Sequence, residues 1–238
     1  MTRASRPIAN ADAPSTSVLV VSAFAPELAP LRRRLRTRAK AKGATPRSTS
    51  VQIFCLPVGI GLVEAALGAA RAIQQHAPKL VIFVGTAGAY SRAMRVGSVA
   101  IASDVALVST AVVRGDGYVP GPVPMRQAAT AAIARRLSAC AQSIDCPATF
   151  ARVANPLAIT KSTTLARKIA ADTESDVENL EVFSVARAAR TQRLSFAAVL
   201  GIANRVGPSA HQEWITNQAA ASEAACAVVA AYLDSLTL

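Results

Sequence analysis

Two kinds of residue in this chain could do chemistry: carboxylates at the ends of predicted strands, and a glycine-rich stretch that can bring backbone close to a ligand. Glu27 follows the apolar run Val18 to Ser22 and Pro26, and opens a helical pattern of Leu28, Leu31 and Leu35. At the mouth of a strand-to-helix turn a carboxylate can face a pocket, take a proton from water or steady a developing positive charge. It also fits as a first-turn acid stabilised by the helix dipole. Glu178 and Glu181 lie three apart in DVENLEVFSVARAAR, Asp176 to Arg190, where Val177, Leu180, Ser184, Val185 and Ala188 recur at helical period. That spacing predicts one helix with both glutamates sharing part of a face. The third stretch is Leu80 to Tyr90, LVIFVGTAGAY. Leu80 to Val84 reads as a strand buried on both faces, breaking at Gly85-Thr86-Ala87-Gly88. Ligands in open α/β sheets sit outside the carboxyl ends of strands, so a pocket is expected there. A tight turn without a ligand fits the same residues.

The elements that would position these groups follow in order. Strands are expected over Val18 to Ser22, Val51 to Val58 and Leu80 to Val84, with a helix over Val63 to His76 ended by Pro78. Strand, helix, strand with short links predicts parallel strands. An apolar run covers Val99 to Val108. Thr110 to Met125, with three glycines and three prolines, predicts a long exposed loop that could act as a lid. Helices are expected over Gln127 to Ala141, Thr163 to Ala171 and Gln212 to Leu236. Ala148 to Thr160 reads as one or two strands interrupted at Asn155-Pro156, and Leu194 to Ala203 as the last strand. Asn204 then starts a loop, Asn204 to Pro208, and fits there as a turn residue. Lys40 to Ser50 reads as a polar loop, and residues 1–17 as a loose tail before a single domain over 18–238.

Composition narrows the classes. The chain has 238 residues, 52% hydrophobic and 17% charged, which is globular and long enough for one large α/β core. No apolar run approaches the ~20 residues of a membrane span. The polar first residues hold no secretion-signal core, which favours the cytoplasm. Four cysteines without a CxxC pair and two histidines support neither a metal site nor a disulfide framework. Part of the net charge of +12 sits in Arg32, Arg33, Arg34, Arg36, Arg38, Lys40 and Lys42. A solvated helix end is the first reading of that block. An anionic or nucleic-acid partner is the second, disfavoured by few aromatics and no recognisable motif.

Five pieces in order together resemble the nucleoside phosphorylase and nucleosidase superfamily: SAFAPEL (Ser22 to Leu28), PVGIGLVEAA (Pro57 to Ala66), VGTAGAY (Val84 to Tyr90) followed by RVGS (Arg95 to Ser98), ENLEVFSVARAA (Glu178 to Ala189), and GIANRVG (Gly201 to Gly207). The resemblance implies an α/β fold, a three-layer α/β/α sandwich with a mixed central sheet, often dimeric or higher, acting on small-molecule nucleosides without metal or organic cofactor. It implies that Glu27 activates water and that Asn204 contacts the N7 edge of the base. Glu181 would bind the ribose hydroxyls, with Leu180 packing under the sugar where methionine is usual. Thr86, Ala87 and Gly88 would lie near the anomeric side. Phe183 and Tyr90 could contact sugar or base, or simply pack in the core. Glu181 could instead serve a structural ion pair, and Trp214 is expected to anchor the last helix.

Asparagine cannot act as an acid and suits 6-oxopurines such as hypoxanthine, whereas a protonated aspartate would suit adenine. The stretch Ser22 to Glu27 lacks the glycines and arginine of the phosphorylases' phosphate motif. The chain therefore looks like the hydrolytic branch, close to methylthioadenosine/adenosylhomocysteine nucleosidases but most like futalosine hydrolases, with Asn204 arguing against a plain methylthioadenosine or adenosylhomocysteine nucleosidase. A phosphate-dependent purine nucleoside phosphorylase, using Arg95 or Arg114, is the alternative. A non-catalytic nucleoside- or nucleic-acid-binding relative is the second. The sequence departs from the family pattern at Val182, Leu200 and Ser209.

Overall fold

The structure, a computed structural model, describes residues 16–41 and 51–236. Residues 1–15 of the expected tail, and 42–50 of the expected loop with Lys42, lie outside the described residues. The elements are β1 (Thr16–Ser22), α1 (Ala25–Ala41), β2 (Val51–Pro57), α2 (Leu62–His76), β3 (Leu80–Ala89), β4 (Val99–Val108), α3 (Thr110–Arg114), β5 (Arg126–Ala128), α4 (Ala131–Ser143), β6 (Ala148–Pro156), α5 (Thr163–Thr173), β7 (Val177–Glu178), α6 (Val182–Thr191), β8 (Ser195–Arg205) and α7 (Ala210–Ser235).

All eight strands join one sheet in the order β2-β1-β3-β7-β6-β4-β5, and β8 pairs with both β3 and β4. The sheet is mixed: β1 runs parallel to β2 and β3, whereas β7 is antiparallel to β3 and β8 antiparallel to β4. The pairings β3–β8, β8–β4, β4–β6, β6–β7 and β7–β3 form a closed circuit, so part of the middle layer curls on itself. Two apolar clusters lie on its opposite faces. One joins Ala65, Ala69 and Ile73 of α2 and Val182, Val185 and Ala186 of α6 to Leu19, Val81 and Phe83 of the sheet. The other joins Leu28 and Leu31 of α1, Leu137 of α4 and Val229 and Leu233 of α7 to Val18, Ile82 and Val199. Helices thus cover both faces of the sheet, as the three-layer expectation required. Truncating a buried Leu28 or Phe83 to alanine would cost about 3 kcal/mol.

Five sequence expectations change. β1 starts two residues early, because Thr16 and Ser17 pair with Val51 and Gln52. β3 does not break at Gly85 but runs to Ala89, buried throughout, because β8 pairs with it along that whole length. Glycine disfavours strands locally, and the non-local pairing overrides this. The helix expected over Asp176 to Arg190 divides into β7 and α6, so Glu178 and Glu181 do not share a helix face. Asn179 divides it: its Oδ1 accepts from the N–H groups of Glu181 and Val182, both at 2.9 Å, and caps the start of α6. Finally, Asn204 lies within β8, not in the following loop. The Thr110 to Met125 stretch opens with the short α3 and leads into β5, which occupies the first residues of the helix expected from Gln127.

The basic block docks α1 on its neighbours. Arg33 and Arg34 reach Glu223 at 2.5 and 2.6 Å, Arg38 reaches Asp234 at 2.6 Å, and Arg32 donates to the Cys55 carbonyl at 2.7 Å. These exposed pairs contribute about 0–1 kcal/mol each, so they orient α1 on α7 more than they hold the fold.

Candidate active site

The carboxyl ends of β1 and β3, the β7–α6 junction, the end of β8 and the first turns of α7 surround a cavity of about 300 Å³. Its lining includes Phe24, Glu27, Thr86, Ala87, Gly88, Glu178, Asn179, Leu180, Glu181, Asn204, His211 and Trp214. Seven of the eight site residues expected from the sequence meet here. The eighth, Phe183, lies in the core behind the cavity, packed with the α2–α6 cluster, and its N–H donates to Asn155 Oδ1 at 2.7 Å. Tyr90 also stays outside the lining and donates to Glu178 Oε2 at 2.6 Å.

Glu27 sits in the first turn of α1, only 3% exposed. Its Oε1 accepts from the Thr86 N–H at 2.9 Å and the Thr86 hydroxyl at 3.0 Å. Its Oε2 has no hydrogen-bond partner. Burial pushes the Glu27 carboxyl up to about 7; the nearby Glu181 charge adds to the rise, and the Thr86 bonds oppose it. Gly85 makes room for this carboxylate: a Cβ there would stand 3.3 Å from both its oxygens and 3.0 Å from the Phe83 ring.

Glu181 holds the position just before α6 and accepts from the Gly61 N–H at 2.9 Å through Oε1. Burial raises its carboxyl above the usual range, and the bonds from Gly61 and Asn179 oppose that rise. Glu178 is tied by the Thr160 N–H at 3.0 Å as well as by Tyr90. Asn179 Nδ2 donates to the Thr86 carbonyl at 3.0 Å, locking the β7–α6 junction to β3. Asn204 faces Gly88 where the β3–β8 register slips: Ala87 pairs with Ile202, but Gly88 pairs with Asn204. Such a bulge re-aims a side chain. A Cβ on Gly88 would lie 2.8 Å from Asn204 Nδ2, so the glycine is what lets the amide lie there. That Nδ2 donates to the Arg205 carbonyl at 2.9 Å, leaving its second hydrogen and Oδ1 for a ligand.

Sequence reasoning did not assign Glu178, Asn179, Phe24, His211 or Trp214 to the site. Glu178 and Asn179 lie in the motif that placed Glu181. Trp214 and His211 are three apart at the start of α7, a spacing that puts both rings on one face; the rings stack at 6.1 Å between centroids. The Trp214 indole N–H donates to Thr86 Oγ1 at 3.1 Å.

A cavity with three buried carboxylates can bind sugar hydroxyls, stabilise positive charge and take a proton from water. Among the described residues lining it, none is a lysine or arginine, and no group of His, Cys, Asp and Glu among the described residues could hold a metal ion. Among the described residues no helix is long and apolar enough to cross a membrane.

Known proteins resemble this chain in sequence and in fold. The family described as the phosphorylase superfamily matches residues 17–234. The 5'-methylthioadenosine/S-adenosylhomocysteine nucleosidase of Geobacillus thermodenitrificans is 31% identical over 134 residues, which is 53% of this chain and 56% of that protein. The nucleosidase of the same name from an Exiguobacterium species is 34% identical over 96 residues, 40% of this chain and 41% of that one. The chain thus spans about half the length of the curated relatives it matches. In fold it is similar to the futalosine hydrolase of Helicobacter pylori, with a TM-score of 0.80 at 12% identity over 93% of this chain and 98% of that one. It is also similar to a Neisseria meningitidis 5'-methylthioadenosine/S-adenosylhomocysteine nucleosidase in complex with methylthio-immucillin-A, with a TM-score of 0.79 at 18% identity over 92% and 99%.

Proposed function

Since this chain belongs to the phosphorylase superfamily, we propose that it is a nucleosidase, hydrolysing the N-glycosidic bond of a purine nucleoside. The observation that carries this reading is Glu27: a carboxylate lining the cavity, pushed up to about 7 by burial, with Oε1 held by Thr86 and Oε2 buried without a hydrogen-bond partner. A general base works best when it titrates close to the working pH. Glu27 takes a proton from water as the water oxygen bonds to the anomeric carbon, and the bond to the base breaks with its electrons leaving on the base. Glu181 holds the ribose hydroxyls over Leu180. The carboxylates of Glu27, Glu178 and Glu181 favour the positive charge that develops on the sugar.

Three carboxylates without a lining lysine or arginine disfavour phosphate as the nucleophile. Asn204 steadies the departing base through its free amide hydrogen and Oδ1, which suits a 6-oxopurine and hence a futalosine-like substrate. The expected homo-oligomer has a candidate face in Ile60, Val63 and Leu67, which are 63%, 65% and 60% exposed; Ile60 also lines the cavity.

The test is base release measured by chromatography from futalosine, inosine, guanosine, methylthioadenosine and adenosylhomocysteine, each with and without phosphate. Hypoxanthine released from futalosine without phosphate is the expected result. Release that needs phosphate would overturn hydrolysis, and adenine release alone would overturn the 6-oxopurine preference.

A further inference from the structure

We propose that Trp214 is a positioning residue that acts on Glu27 through Thr86, fixing the direction in which the Thr86 hydroxyl donates. This rests on the reading of Glu27 as the base. An indole N–H can only donate, and a hydroxyl has one proton to give. Trp214 Nε1 lies 3.1 Å from Thr86 Oγ1, so the hydroxyl accepts on that side. Its own proton is then directed to Glu27 Oε1, 3.0 Å away. The relay runs in one direction, from indole to hydroxyl to carboxylate, and each donor proton in it has an acceptor when Oε1 is unprotonated. Were Oε1 to carry a proton and donate back to Thr86, the hydroxyl's own hydrogen would lose this acceptor. The relay therefore favours the ionised carboxylate and leaves Oε2 as the atom that exchanges a proton. Chains of this kind polarise one another in a water-poor site.

The indole is held for this task. Its ring stacks on His211 and lies 6.3 Å from the Phe24 ring, centroid to centroid, at a tilt of 41°. Thr86 is fixed in turn by β3, with its carbonyl bound to Asn179. Other ionisable groups also face Glu27 or its cavity: Glu181 before α6, Glu178 on β7, His211 on α7, and the Cys226 thiol of α7, which donates to the Glu27 carbonyl at 3.2 Å. None of them bonds to the Thr86 hydroxyl, so the hydroxyl can be probed apart from them.

Trp214 is the only tryptophan of the chain. Supplying 3-benzothienylalanine in its place therefore swaps the indole N–H for sulfur at this position alone, with the ring shape kept. Trp214→Phe is the genetic counterpart. The Glu27 carboxyl is followed by ¹³C NMR titration with labelled glutamate, assigned with Glu27→Gln, and the acid limb of kcat/KM is followed beside it. Losing one donor to the relay shifts both to higher pH by roughly half a unit to one unit, or about three- to tenfold in rate below the limb. Thr86→Val removes the hydroxyl and shifts the titration further. In that background the indole replacement moves nothing, because the coupling passes through the hydroxyl.

A Glu27 titration unmoved by loss of the indole N–H would overturn the proposal, as would an equal shift in the Thr86→Val background. The NMR titration needs no substrate, so it decides the relay even if base release fails for every nucleoside tried.

Discussion

Thr86 binds one oxygen of Glu27 twice, through N–H and hydroxyl at 2.9 and 3.0 Å, and leaves the other oxygen without a partner. The arrangement fixes the rotation of a buried acid while sparing the atom that would meet water. Replacing Glu27 by glutamine keeps the shape and removes the proposed base. Activity should fall by about 10²–10⁴ in kcat. Far-UV circular dichroism should remain that of the parent chain.

The same substitution should alter stability with a definite sign. The Glu27 carboxyl moves from about 4.5 to about 7 on folding. Between those values the folded chain holds a proton that the unfolded chain has released, so stability falls as pH rises through that window. The full loss is about 3 kcal/mol. Glu27→Gln escapes it: its Tm should exceed that of the parent above pH 7, and the gap should close toward pH 4.5. Thermal melts across this range read it directly.

Glu181 raises the Glu27 carboxyl through like charge. Glu181→Gln should therefore move the acid limb of kcat/KM below its parent position near pH 7. It should also raise KM, because the proposed ligand of the ribose is lost. A limb that stays in place would separate the two carboxylates electrostatically and contradict their coupling.

Two glycines should respond differently to alanine. On Gly88 the new Cβ meets the Asn204 amide at 2.8 Å and Val206 Cγ2 at 3.0 Å, both side-chain atoms that can shift. Gly88→Ala should fold and lose roughly tenfold or more in kcat/KM through a displaced Asn204. On Gly201 the Cβ meets the Ala221 main-chain oxygen at 2.0 Å, where α7 crosses β8. Gly201→Ala must push that helix away, at about 3 kcal/mol or more, seen as a lower denaturant midpoint.

Asn204→Asp tests the base preference. A carboxyl that binds a proton at this position can donate to N7 and suits a 6-aminopurine. The ratio of adenine to hypoxanthine released from matched nucleosides should rise about tenfold or more.

Local sequence carried much of this protein. Apolar runs such as Val18 to Ser22 and Leu80 to Val84 and the helical repeats after Pro26 and in Val63 to His76 pointed to the α/β class, because burial and periodicity are written residue by residue, whereas the candidate site residues came from the resemblance of short motifs such as the one around Glu181. Long-range pairing decided the rest. Pairing with β8 along Gly85 to Ala89, and with β7 at Gly88 and Ala89, makes that stretch a strand, and the register slip of β8 turns Asn204 toward the cavity. Only the Asn179 amide, anchored on the Thr86 carbonyl, ends the apparent helix and sets Glu178 and Glu181 on different elements facing the same cavity. Trp214 reached the site through a bond spanning 128 residues. A periodic pattern gives the face a residue occupies on its own element. Which residue of another strand or helix it meets is set by sheet register and helix packing, and those exist only once the chain has folded.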